Sequence, residues 1–117
     1  MHKVTGIGGF FFRAENPEAL GQWYTKHLGI DIGGMPWQQT AGMTVFQPFA
    51  KDTDYFKPEK QWMINFRVEN LTAMIAQLQA ADIAVETRAE WNSPEVGTFA
   101  RIHDPEGNAI ELWEPAQ

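Results

Sequence analysis

The sequence predicts an α+β fold built from two β-α-β-β-β modules, and three observations carry that reading. Residues 10–30, FFFRAENPEALGQWYTKHLGI, give a strand, an Asn-capped helix and the start of a second strand. Residues 63–83, MINFRVENLTAMIAQLQAADI, give the same order again, with Asn16 and Asn70 at equivalent places before the two helices. Each copy then runs into short strands, which end in MTVFQPF and in AIELWEP. A unit that occurs twice and has one apolar face must share a core with its copy. The concavity between the copies is the expected working site.

The elements follow from local chemistry. Residues 7–13 form an apolar, aromatic run short enough for a strand. Asn16 is a good N-cap and Pro17 takes the first helical position, where its missing N–H costs nothing. Leu20, Trp23, Tyr24 and Leu28 keep helical spacing, and Gly29 stops the helix. Gly33, Gly34, Pro36 and Gly42 punctuate a meander of short segments. Residues 51–60 are polar, carry Asp52, Asp54, Pro58 and Glu59, and read as a solvated linker. In the second copy Leu71, Met74, Ile75 and Leu78 make a clean apolar stripe after Asn70. Residues 84–90 read as a strand and 92–97 as a loop. Residues 98–103 and 109–113 read as a hairpin closed by DPEGN, whose Asp, Pro and Gly fall where a type I turn wants them. The chain is therefore one domain over residues 1–117, with module 1 at about 1–50, a linker at about 51–60 and module 2 at about 61–117.

Strand side chains alternate between faces, so the apolar series identifies the helix side. Phe10 and Phe12 should pack under the first helix, and Ile64, Phe66 and Val68 under the second. Ala100, Ile102, Ile110 and Leu112 belong to the same side. This fixes the register of the closing hairpin: His103 opposite Ala109, Arg101 opposite Glu111 and Phe99 opposite Trp113. A one-residue slip would set Arg101 against Ile110 and put charged and apolar faces in conflict. The concave face then carries Asn65, Arg67, Arg101, His103 and Glu111, framed by Phe11, Met63, Phe99 and Trp113. An apolar wall with a few convergent polar groups suits a small-molecule ligand.

Composition excludes several functions. A net charge of -6 argues against nucleic acid, which needs a basic face. The absence of cysteine removes disulfides, thiolate metal ligands and a cysteine nucleophile. The N-terminal GIGGFFF is too short to span a membrane and no signal-peptide cleavage pattern follows it, so a cytoplasmic protein is expected. No nucleophile elbow, phosphate loop or HExxH pattern occurs.

The strand–helix pattern with WYTKHLGI, together with the closing DPEGNAIELWEP, resembles the vicinal oxygen chelate superfamily: glyoxalase I, bleomycin-resistance proteins and extradiol dioxygenases. The resemblance covers nearly the whole chain. It implies that the two modules form an incomplete barrel around a cavity. It also implies metal-ligand positions on the first and last strand of each module, which here are Gly9, Thr44, Met63 and Glu111. Only Glu111 matches the residue types the family uses. A divalent ion needs three or more N or O ligands at about 2.0–2.2 Å, and a thioether suits it poorly.

The resemblance implies a glyoxalase/bleomycin-resistance-like protein that binds a small molecule in the inter-module cavity, and the departure at Gly9, Thr44 and Met63 predicts that it does so without the usual metal or another cofactor. The alternative is a metal-dependent lyase, isomerase or dioxygenase that uses Glu111 with a divalent metal. A third reading is a metal-free enzyme with His103 and Glu111 as acid and base. At the level of single residues, Glu111 is either a ligand or base, or the cross-strand partner of Arg101. Arg67 and Arg101 either clamp an anionic group or pair structurally with Glu69, Glu90 or Glu111. Phe99 and Trp113 are the expected aromatic wall. A homodimer is expected, because family members commonly dimerise and two-fold association is the commonest oligomer.

Overall fold

The computed structural model describes residues 1–31 and 36–117. The glycines at 33 and 34, expected to punctuate the meander, lie outside those residues. The fold is α+β: two helices and a mixed three-stranded open sheet among the described residues. Helix α1 spans Pro17–Leu28 and helix α2 spans Leu71–Ala80. Strand β1 is Ile64–Arg67, β2 is Gly97–His103 and β3 is Ala109–Pro115. The order across the sheet is β1-β3-β2, with β1 parallel and β2 antiparallel to β3.

Both helices start as their sequences dictate. The Asn16 side chain accepts from the Ala19 N–H at 3.1 Å, and Asn70 accepts from the Ala73 N–H at 3.0 Å. Gly29 ends α1 in the left-handed region at φ 71. The N-terminus of α2 also receives the Glu114 carboxylate, which accepts from the Leu71 N–H at 2.7 Å. That bond ties α2 to the end of β3.

The register of the closing hairpin is the expected one: Arg101 is the Cα partner of Glu111, Phe99 of Trp113 and His103 of Ala109. Ala100, Ile102, Ile110 and Leu112 are buried in one cluster with Leu71 and Leu78 of α2 and Leu20 and Tyr24 of α1. Leu78, Ile102, Ile110 and Leu112 are the largest fully buried side chains. Burial of each is worth about 1.5–3 kcal/mol, so this layer is the main source of stability.

The DPEGN turn does more than reverse the chain. The Asp104 carboxylate accepts from the N–H groups of Glu106 and Asn108, from the Asn108 side chain and from the Tyr24 hydroxyl of α1. The Glu106 carboxylate accepts from the N–H groups of Glu15 and Asn16, just before α1. The turn thereby fastens α1 to the sheet at two points. Gly107, at φ 82, has the backbone conformation that glycine tolerates best.

Two expectations about strands are corrected. Residues 84–90 reduce to one bridge, Glu86 with Arg101 on the outer edge of β2, followed by a 3-10 turn at Ala89–Trp91. Residues 7–13 and the described part of the meander carry no strand. A strand exists only where a ladder partner accepts its backbone bonds, and periodicity reports the faces of a segment rather than its partner. The side chains nonetheless keep part of the expected order. Phe12 meets Tyr24 edge-on at 6.1 Å, and Trp62 meets Phe10 and Phe12 at 4.9 and 5.1 Å. Phe11 points away and is 93% exposed.

Candidate functional site

The face of the sheet opposite the helices gathers the polar groups. Asn65 on β1 and Glu111 on β3 are Cα partners, and the Asn65 amide donates to Glu111 Oε1 at 2.8 Å. The other carboxylate oxygen, Oε2, accepts a short bond from the Tyr55 hydroxyl. Both oxygens of Glu111 are thus held by neutral donors. Burial, and then the Glu111 carboxylate, push the Tyr55 hydroxyl up to about 12.

Arg101 lies beside Glu111 in the register, and no ion pair joins the two. The Arg101 guanidinium sits instead against two aromatic rings, 4.8 Å from the Tyr55 centroid and 5.7 Å from that of Trp91. Arg101 is only 8% exposed. Its Nε and Nη2 are buried and have no hydrogen-bond partner among the described residues.

Phe99 and Trp113 stack in parallel, with centroids 6.1 Å apart and planes at 4°. Trp113 is anchored by its indole N–H, which donates to the Val96 carbonyl at 2.9 Å. His103 stands at the end of β2. Loss of hydration, then the positive charges of Arg101 and Lys57, lower its proton affinity below the ordinary value.

The expected site residues divide into two groups. Asn65, Phe99, Arg101, Glu111 and Trp113 come together on this face, with His103 at its end. Arg67 is spent on chain connection: its guanidinium donates to the carbonyls of Thr40 and Met43 and to the Thr44 hydroxyl. Met63 is half-buried just before β1. Phe11 is apart from the group.

Sequence reasoning missed Tyr55 and Trp91. Tyr55 belongs to residues 51–60, read as a solvated linker, yet its ring packs against Trp91 at 6.3 Å and Phe49 at 5.7 Å. The available signal was the Tyr55–Phe56 pair inside an otherwise polar run. The two rings lie over the Arg101–Glu111 part of the face, where an open cavity was expected, and leave Asn65 exposed. Surface clefts lie elsewhere, one bordered by Arg13, Lys60 and Glu106 and another by Ser93, Thr98 and Pro115.

The four positions at which the resemblance implies metal ligands offer a divalent ion a poor donor set. Gly9 has no side chain, Met63 offers a thioether, Thr44 lies at Arg67, and Glu111 is engaged by Tyr55 and Asn65. Among the described residues no three His, Asp or Glu side chains group together as metal ligands. Likewise no helix of the described residues is long and apolar enough to cross a membrane.

No family model matches the sequence, and no curated protein matches it. Among solved structures the chain is similar to TnmS3, an antibiotic binding protein from Streptomyces sp. CB03234. The TM-score is 0.65 at 20% identity, over 99% of this chain and 100% of that one. It is also similar to a glyoxalase/bleomycin resistance protein from Streptomyces sp. CB03234. There the TM-score is 0.52 at 22% identity, over 86% of this chain and 92% of that one. At these identities the likenesses show a shared α+β fold.

Proposed function

We propose that this chain is a small-molecule binding protein of the glyoxalase/bleomycin-resistance type, working without a metal. The ligand lies against the sheet face that carries Asn65, Phe99, Arg101, Glu111 and Trp113. The observation that supports this most is the convergence of a carboxylate, an amide and a buried guanidinium within an aromatic frame. Such a frame recognises a compact planar compound. The likeness to an antibiotic binding protein over the full length of both chains supports the same reading.

In this reading the two copies of the repeat form the two modules of an incomplete barrel. The protein acts as a homodimer. Phe11, Val45 and Phe46 in the first half are largely exposed, and association would cover such side chains. His103 and Glu111 serve recognition, because the carboxylate already accepts from two neutral donors.

The test is nuclear magnetic resonance with a panel of planar aromatic compounds. The expected result is saturable shifts at the indole N–H groups of Trp91 and Trp113, with a raised melting temperature. Shifts confined to the Arg13–Lys60–Glu106 cleft, or no shift with any compound, would reject the assignment of this face.

A further inference from the structure

We propose that Arg101 is the anchor for a carboxylate on an aromatic ligand, and that Tyr55 is a built-in stand-in which this ligand displaces. The proposal rests on the binding-face reading above and names the class of compound that the face selects.

The first argument is the state of the guanidinium. A cation that is more than nine-tenths buried is costly unless its donors are satisfied. Arg101 has two buried donors, Nε and Nη2, with no partner among the described residues. These two N–H groups share one edge of the planar group and point the same way. That edge matches the two oxygens of a carboxylate. The natural intramolecular partner is Glu111, the Cα partner of Arg101, but its oxygens are committed to Tyr55 and Asn65. Tyr55 and Trp91 lie against the guanidinium with ring centroids at 4.8 and 5.7 Å, and the Tyr55 hydroxyl interacts with it as well, yet Nε and Nη2 keep no partner among the described residues.

The second argument is what Tyr55 does. It belongs to a loop held locally by a bond from its own N–H to the Thr53 hydroxyl. Its phenol lies against the Arg101 guanidinium and donates to Glu111. It therefore occupies the face as an aromatic hydroxyl compound would, and its hydroxyl stands for a ligand hydroxyl at Glu111.

The two arguments combine into a selection rule. A neutral phenol entering this face replaces Tyr55 on nearly equal terms and gains little. A phenol that also carries a carboxylate gains the Nε and Nη2 bonds, which Tyr55 does not supply. The stand-in thus sets a threshold that only the acid passes, and the apparent affinity falls by the fraction of time Tyr55 holds the face. Lys57, in the same loop, adds positive charge toward the His103 end of this surface.

The experiment compares the hydroxybenzoates with the corresponding hydroxybenzamides, read by the side-chain Nε–H resonance of Arg101 and the indole resonance of Trp91. The expected result is an Arg101 Nε–H shift with the acid and binding about tenfold tighter than the amide, a difference of about 1.4 kcal/mol. Tyr55→Phe keeps the ring and removes its bond to Glu111, so it should tighten hydroxybenzoate binding about three- to tenfold. Arg101→Lys keeps the charge and loses the paired edge, so it should erase the preference for the acid. If that variant does not fold, the acid–amide comparison on the parent protein decides alone. Equal affinities for acid and amide, with Trp91 shifted, would overturn the carboxylate assignment and leave the binding face standing. Hydroxybenzoate binding unchanged by Tyr55→Phe would overturn the stand-in role. Absence of binding by the acids to both parent and Tyr55→Phe would overturn the proposal, while the wider aromatic panel still judges the face.

Discussion

Arg101 and Glu111 face each other across β2 and β3 without forming an ion pair, because Tyr55 and Asn65 take both carboxylate oxygens. The charges still attract at this range. The geometry, however, gives the directional bonds to neutral partners and leaves two guanidinium donors unfilled. Tyr55, from outside the sheet, is therefore the group that organises the face.

The Tyr55–Glu111 bond is directly measurable. A hydrogen bond to a charged acceptor is worth about 1.5–3 kcal/mol. Tyr55 is only half-buried, so Tyr55→Phe should cost toward the lower end, about 1–2 kcal/mol in denaturant unfolding. On a Glu111→Gln background the same change should cost clearly less. Equal costs in the two backgrounds would mean that the bond does not couple the loop to the sheet.

Tyr24 and Asp104 join α1 to the closing turn through a buried bond of 2.7 Å. Burial and the Asp104 carboxylate both push the Tyr24 hydroxyl up, well beyond the ordinary phenol range. Tyr24→Phe should destabilise the fold by about 1–2 kcal/mol, because Asp104 keeps three other donors after the change. Asp104→Ala, which releases all four, should cost distinctly more. If the order of the two were reversed in chemical unfolding, the turn would not be the fastening point.

Much of this arrangement was legible in the sequence, for reasons that differ by element. The register of β2 on β3 followed from Ala100, Ile102, Ile110 and Leu112, because one slip would bury Arg101 with the helices. The two helices followed from Asn16 and Asn70, which cap as their side chains allow. Asp104 was read as a turn former, and its bond to Tyr24 was not, since the two are far apart in sequence. The strand at 84–90 shrank to the Glu86–Arg101 bridge, because β propensity does not specify where pairing stops. Tyr55 and Trp91 escaped notice because loops carry no periodicity that reveals their inward side chains.

His103 sets an acid limit on stability. Its folded-state pKa lies below the ordinary 6.5, through lost hydration first, then Arg101 and Lys57, with Glu86 and Asp104 opposing. Between the two values the unfolded chain binds more protons than the native one. Stability therefore rises with pH up to about 6.5 and is flat above it as far as this group is concerned. His103→Gln should remove that component of the slope in unfolding measured from mildly acidic to neutral pH. An unchanged slope in the variant would place the titrating group elsewhere.

Metal content follows from the donor set. Protein ligands must supply the affinity before water can complete a coordination sphere. Glu111 is the one carboxylate among the four family positions, and it is engaged twice. Protein purified without chelator should carry well under one equivalent of Zn, Ni, Fe or Mn by elemental analysis, and its melting should not respond to added Zn or Ni. About one metal per chain, lost in Glu111→Gln, would restore the metalloenzyme reading.

Association is the remaining expectation, and it follows from where the apolar surface lies. Phe11 is 93% exposed, with Phe46, Val45 and Met43 also largely open, and all belong to the first half of the chain. Scattered apolar side chains are ordinary on a monomer, so the prediction rests on how many large ones the first half exposes. The expected association is between two copies of the chain, because a two-fold arrangement closes after two subunits. Sedimentation equilibrium at micromolar concentration should therefore give twice the chain mass of 13.3 kDa. Phe46→Glu should shift the protein toward the single-chain mass while leaving α2 and the three-strand sheet folded, since Phe46 lies outside the buried cluster. A parent protein that sediments as one chain would reject the dimer and leave the first-half surface to another explanation.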